Sequence, residues 1–119
     1  IFQLKIPQEI RLINPVGFFD FLELETNAQL VLTDSGGVQE EACILKVPCV
    51  TLRDNTERPE TLKAKSNILG GADPYKILNC IKIMLKRKRN WRNPFGDGDS
   101  SVKILNIIQR YEKLKIKNR

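Results

Sequence analysis

Residues 32–42 read LTDSGGVQEEA, and the fold turns on how this stretch divides. The residues leading into it, AQLVLT (28–33), read as a β-strand, and GVQEEACIL (37–45) reads as the opening turns of a helix. A serine and two glycines between a strand and a helix place backbone N–H groups where no helical acceptor reaches them. The helix dipole adds partial positive charge there, and glycine lets an anion approach with no Cβ in the way. The turn lacks the lysine of a Walker loop and is not GxGxxG. Plain structural punctuation is therefore the competing reading of Gly36–Gly37.

Outward from the turn, short apolar runs alternate with helical spacing. IRLINP (10–15) reads as a strand ended by Pro15, and GFFDFLELETN (17–27) carries Phe18, Phe21, Leu22 and Leu24 at helical or turn-like intervals. VPCVTL (47–52) is a further strand. RDNTERPE (53–60) is polar and predicts a helix starting at or just after Pro59. SNIL (66–69) is a short strand ended by Gly70–Gly71. Asp73–Pro74 is a helix start, an acceptor at the cap followed by proline at the first helical position. Behind it Ile77, Leu78, Ile81, Met84 and Leu85 share one face to about Lys86. A turn-rich loop, NWRNPFGDGDSS (90–101), leads to a last helix capped by Ser100 or Ser101.

Strands alternating with helices across short connections imply βαβ crossovers. The expected fold class is α/β, a Rossmann-like parallel sheet with flanking helices on both faces. Ligands in such sheets bind at the C-terminal ends of the strands. Ser35–Gly37, Arg53–Glu60 and the segment after Pro15 each follow a strand, so they are expected along one edge.

Composition bounds the function. The 119 residues suffice for one core, and 41% apolar with 29% charged residues is ordinary for a globular protein. No apolar run approaches the ~20 residues that span a bilayer, so no membrane partner is expected. The net charge of +6 is uneven: from Lys82 onward twelve basic residues face three acids, while the first 81 residues carry eight against eleven. The KRKR run (86–89) comes with no aromatic stacking platform. It reads as cations at a helix C-terminus rather than a nucleic-acid site. Cys43, Cys49 and Cys80 lack metal-ligand spacing, and reduced thiols point to a cytoplasmic protein with no metal. There is no histidine, which removes the commonest general acid–base.

Glu40 and Glu41 sharpen the reading of the turn. Acids in a first helical turn complement the dipole, and Glu40 in particular fits a capping box onto Gly37. A carboxylate behind a phosphate site is useful when the ligand also carries a diol, because it accepts two hydroxyl hydrogen bonds. Phosphate plus ribose is a nucleotide. Arg58 offers a guanidinium for bidentate phosphate binding, with pairing to Glu57 or Glu60 as the alternative. Phe21 offers a face for a base, against half-buried core packing.

LTDSGGVQEEA, Pro48, RDNTERPE and NPFGDGDSSVKIL, in this order and spacing, resemble the C-terminal domain of the UDP-N-acetylglucosamine 2-epimerases, from about Ile10 to Ile108. The resemblance implies two Rossmann-like domains facing across a cleft, the glycosyltransferase-B arrangement. Residues 1–119 would be part of the C-terminal, UDP-binding one. It implies that Ser35, Gly36 and Gly37 hold the diphosphate, Glu41 rather than Glu40 binds the ribose hydroxyls, Arg58 faces the nucleotide and Phe21 packs near uracil. It further implies UDP-N-acetylglucosamine as substrate, a role in polysaccharide precursor supply, no cofactor, an N-terminal partner domain and a homodimeric parent.

In that family UDP is eliminated and added back after C2 is reprotonated, giving UDP-N-acetylmannosamine. The family's acid–base carboxylates and a histidine lie outside the matched region. No catalytic residue is therefore assigned here, and this chain alone is expected to be inactive as a fragment of a longer protein. A non-catalytic nucleotide-sugar binding module and a glycosyltransferase of the same architecture are the alternatives. An upstream domain carrying carboxylates and a histidine favours the epimerase over the former; the TERPE and NPFGDG segments favour it over the latter.

Overall fold

The computed structural model describes residues 5–117. Three parallel strands, β1 (Val31–Thr33), β2 (Cys49–Thr51) and β3 (Asn67–Leu69), lie in the order β1-β2-β3. Val31 pairs with Cys49 and Cys49 with Asn67, so the three strands start and end level. Parallel neighbours need crossovers, which α2 (Gly36–Ile44) and α3 (Pro59–Lys63) supply.

Alternate residues of β2 serve opposite faces, as the pleat requires. Cys49 packs with Ala42 and Val47 beneath α2, whereas Val50 packs with Cys80 and Met84 of α4 (Pro74–Leu85). Helices therefore cover both faces, as the alternation of patterns predicts. Each end of α4 follows its sequence signal: the Asp73 side chain accepts from Lys76 N–H at 2.7 Å with Pro74 next in line, and the helix stops at Leu85. A loop after α4 is tied to the back of α2 by Trp91, whose indole N–H donates to Cys43 O at 2.9 Å. Lys46 donates to Trp91 O and lies 5.9 Å from its ring centroid. Arg89 donates to Ala28 O and Gln29 O, so one cation of the KRKR run closes the approach to β1.

Two expectations need correction. Ile10–Pro15 forms no strand: the backbone from Arg11 to Gly17 has no regular structure, and among the described residues β1 has β2 as its sole ladder neighbour. A strand without a partner to receive its N–H and C=O groups gains nothing from extension over coil. The last helix, α5 (Ser100–Lys117), begins one residue earlier than its serine caps suggest. Lys103 N–H donates to Asp99 O, which gives Asp99 the cap position. Helix α5 shows Val102, Ile104, Leu105, Ile108 and Tyr111 to solvent. Helix α1 (Phe18–Thr26) forms where predicted, yet its buried residue is Glu25 while Phe19 is 82% exposed.

Candidate functional site

The C-terminal ends of the strands are stitched together by backbone bonds. Leu52 N–H donates to Thr33 O at 2.8 Å, Gly70 N–H to Thr51 O at 2.8 Å and Gly71 N–H to Arg53 O at 3.2 Å. These bonds draw the three loops after β1, β2 and β3 to one edge. Gly71 has φ +67°, and a Cβ there would meet Asp54 Oδ1 at 2.6 Å, so only glycine lets the third loop close on the second.

The turn before α2 is held open. Ser35 N–H donates to Thr33 Oγ1 at 3.0 Å, and the first helical bond runs from Gln39 N–H to Ser35 O. The N–H groups of Gly36, Gly37 and Val38 therefore have no helical acceptor. Ser35 stands at the N-cap without a side-chain cap bond, leaving its hydroxyl available. Glu40 does not close a capping box: its carboxylate pairs with Arg58 Nε. The ion-pair partner of Arg58 is thus neither Glu57 nor Glu60, the two neighbours its own segment offers, although its Nη1 donates to the Glu57 backbone O at 3.3 Å.

Glycine at position 36 has a reason in this geometry. A Cβ there would overlap Glu57 Oε1 and lie 3.7 Å from Arg58 Cζ. The β2–α3 loop therefore lies directly over the N-terminus of α2, bringing Ser35, Gly36 and Gly37 together with Arg58 as expected. Glu57, 3.7 Å from Arg53, rests its carboxylate on the side of Gly36 where a Cβ would stand.

Arg58 is positioned through its backbone by a buried polar network that sequence reading missed. Its N–H donates to Thr56 Oγ1 at 3.1 Å, and its carbonyl accepts from Thr61 Oγ1 at 2.8 Å. Thr56 Oγ1 in turn donates to Gln39 Oε1 at 2.6 Å, and Asn67 Nδ2 donates to Gln39 Oε1 at 3.2 Å and to Thr61 Oγ1 at 3.1 Å. Thr51 Oγ1 completes the set by donating to Asn67 Oδ1. Gln39, Thr51 and Thr61 are fully buried, and Asn67 is nearly so. One signal did exist: Gln39 shares a helical face with Ala42 and Cys43, three and four residues on, and so interrupts an apolar stripe with an amide.

Behind the turn, Glu41 meets Glu25 of α1. Glu25 is 4% exposed, and neither of its carboxylate oxygens has a donor. Burial first, then the neighbouring charge of Glu41, raises its pKa to about 7. Phe21 lies one turn before Glu25 and thus on the same side of α1, and it is 38% exposed, at the surface rather than in the core. An open groove of about 750 Å³ between the 11–16 segment and α1 is lined by Arg11, Asn14, Asp20 and Glu23 among others, and by none of the residues assigned to the nucleotide. All three cysteines are free and buried, and burial pushes Cys49 up to about 12, so it stays a thiol.

A glycine-bearing helix start, an arginine and a carboxylate at the C-terminal edge of a parallel sheet define a domain of the Rossmann-like α/β class. The comparisons with known proteins are narrower. The family model of UDP-N-acetylglucosamine 2-epimerase matches residues 2–109, and the chain belongs to that family. It is 66% identical over 99 residues to a UDP-N-acetylglucosamine 2-epimerase of Methanococcus maripaludis, covering 83% of this chain and 27% of the relative. It is 59% identical over 106 residues to that of Methanocaldococcus jannaschii, covering 89% and 29%. The crystal structure of the latter enzyme in complex with UDP-GlcNAc and UDP superposes with a TM-score of 0.81, covering 87% of this chain and 28% of that one. The chain therefore spans less than a third of the length of these relatives.

Proposed function

We propose that this chain is the UDP-binding part of a UDP-N-acetylglucosamine 2-epimerase, the C-terminal component of a two-domain, glycosyltransferase-B type cytoplasmic enzyme that supplies polysaccharide precursors. The observation that carries the reading is the convergence of Ser35–Gly37 and Arg58 on one sheet edge with Glu41 one turn behind, in a chain whose fold matches a UDP-GlcNAc complex. In this reading the free N–H groups of Gly36 and Gly37 and the Ser35 hydroxyl receive the diphosphate. Arg58 neutralises it, Glu41 accepts the ribose hydroxyls and Phe21 lies beside the base.

The chemistry follows from charge. Elimination of UDP from C1 of the sugar, with loss of the C2 proton, leaves a glycal-like intermediate; re-addition after protonation on the opposite face inverts C2. Negative charge develops on the departing diphosphate, and in this reading the α2 N-terminus and Arg58 receive it. The proton transfers at C2 belong to the partner domain. None of the assigned residues here has that task.

Calorimetric titration with UDP tests the binding role. Glu41→Ala is expected to weaken binding by about tenfold to thirtyfold, the loss of hydrogen bonds to a charged acceptor. Absence of UDP binding by the folded parent overturns the reading. For the division of labour, UDP-N-acetylglucosamine is incubated with this chain in deuterated water. Proton NMR is expected to show neither UDP-N-acetylmannosamine nor deuterium at C2, and either product would place catalytic groups within these residues.

A further inference from the structure

Glu25 is a buried acid with no assigned task. Its oxygens have no donor, and the polar group facing it is the carboxylate of Glu41, itself an acceptor. Two carboxylates in contact are compatible with burial only if one keeps a proton, because the doubly ionised pair combines desolvation with like-charge repulsion. Glu25 is the more deeply buried of the two and keeps it, while Glu41 lies nearer the surface. The other titratable group beside Glu25 is Cys49 of β2, which burial keeps a thiol. No cation is among the groups that act on Glu25.

We infer that Glu25 is a positioning residue for nucleotide binding, a protonated acid whose O–H donates to Glu41 and fixes that carboxylate toward the ribose hydroxyls. The inference rests on the assignment of Glu41 to the ribose. A carboxylate that accepts two hydroxyl bonds discriminates a diol only if its plane is fixed. A donor from behind occupies one of its lone pairs and fixes the plane without neutralising it. Loss of the proton removes that bond and sets two charges against each other in the α1–α2 contact. Glu41 is then driven outward from the position it needs.

The sign follows. The proton is held below about 7 and lost above it, so affinity is highest on the acid side of neutrality and falls as pH rises. The probe is UDP-N-acetylglucosamine, whose diphosphate is esterified at both ends and does not titrate near neutrality. Its affinity for this chain is measured by calorimetry from pH 5.5 to 8.5, beside the carbon-13 NMR titration of the Glu25 carboxyl. Between pH 6 and pH 8 the affinity of the parent is expected to fall about tenfold, the factor carried by one pKa unit of coupling. Glu25→Gln donates an N–H at every pH and is expected to keep the acid-side affinity without the slope. Glu25→Ala is expected to be weaker throughout and equally flat.

A flat parent profile, a Glu25 carboxyl titrating at its ordinary value, or a Glu25→Gln profile with the parental slope would overturn the inference. In each of those cases UDP-N-acetylglucosamine still binds and the ribose assignment of Glu41 survives. No binding at any pH, with Glu25 still titrating near neutrality, instead removes the nucleotide site and this role with it.

Discussion

Arg58→Ala is expected to reduce UDP affinity by about 30- to 100-fold, measured by calorimetry, with little loss of fold stability. The two halves of this result have separate causes. On the binding side, a guanidinium on phosphate makes charge-assisted hydrogen bonds, and their loss, set against the Glu40 pair that binding gives up, costs roughly 2–3 kcal/mol net. On the stability side, Arg58 contributes through its backbone: its N–H and C=O hold Thr56 and Thr61, and alanine keeps both groups. The side chain pairs with Glu40 at about one-third exposure, and such partly solvated pairs contribute less than about 1 kcal/mol. Arg58→Lys keeps the charge but loses the planar fork, so it should recover only part of the affinity. If Arg58→Ala binds UDP as well as the parent, the phosphate lies elsewhere and the convergence over Gly36 is structural. If binding and stability fall together, the side chain is part of the fold instead.

Much of this arrangement is legible in the sequence because local signals agree with tertiary needs. The strand–glycine–helix pattern at 28–45, the Asp73–Pro74 start and the apolar face of Ile77, Ile81 and Met84 each specify an element by covalent preference and periodicity. The same agreement places Gly36 and Arg58 at the ends of adjacent strands. Partner choice is not legible in this way. Arg58 has Glu57 and Glu60 beside it in the chain, yet its ion pair is with Glu40, because the crossover lays the β2–α3 loop across α2. Nothing in the local pattern of α1 singles out Glu25, and only the packing of α1 on α2 turns it inward. IRLINP fails for a related reason: a strand is specified by its neighbour as much as by its own residues. The exposed apolar faces of α1 and α5 follow their helical periods correctly, but period says which residues share a face and not what that face meets.

Gln39 is where fold and site depend on the same atoms. Gln39→Ala is expected to cost about 3 kcal/mol of stability, read from the urea midpoint at constant m-value, and to weaken UDP binding as well. The amide is fully buried, and its Oε1 accepts from both Thr56 and Asn67. Truncation leaves a cavity below the β2–α3 loop, an Asn67 donor reduced to its bond with Thr61, and a Thr56 hydroxyl without its acceptor. Thr56 Oγ1 also receives the N–H of Arg58, so a freed hydroxyl rotor loosens the residue proposed to hold phosphate. Gln39→Leu separates the two contributions, since it fills most of the volume and restores no acceptor. A loss in Gln39→Leu close to that of Gln39→Ala would assign the cost to hydrogen bonding, and a much smaller one to the cavity. A double-mutant cycle with Thr56→Ala then measures the link itself. Coupling of about 1 kcal/mol is expected for residues in one network, whereas additive losses would mean that Gln39 supports the sheet face and the Arg58 loop is held by Thr61 alone.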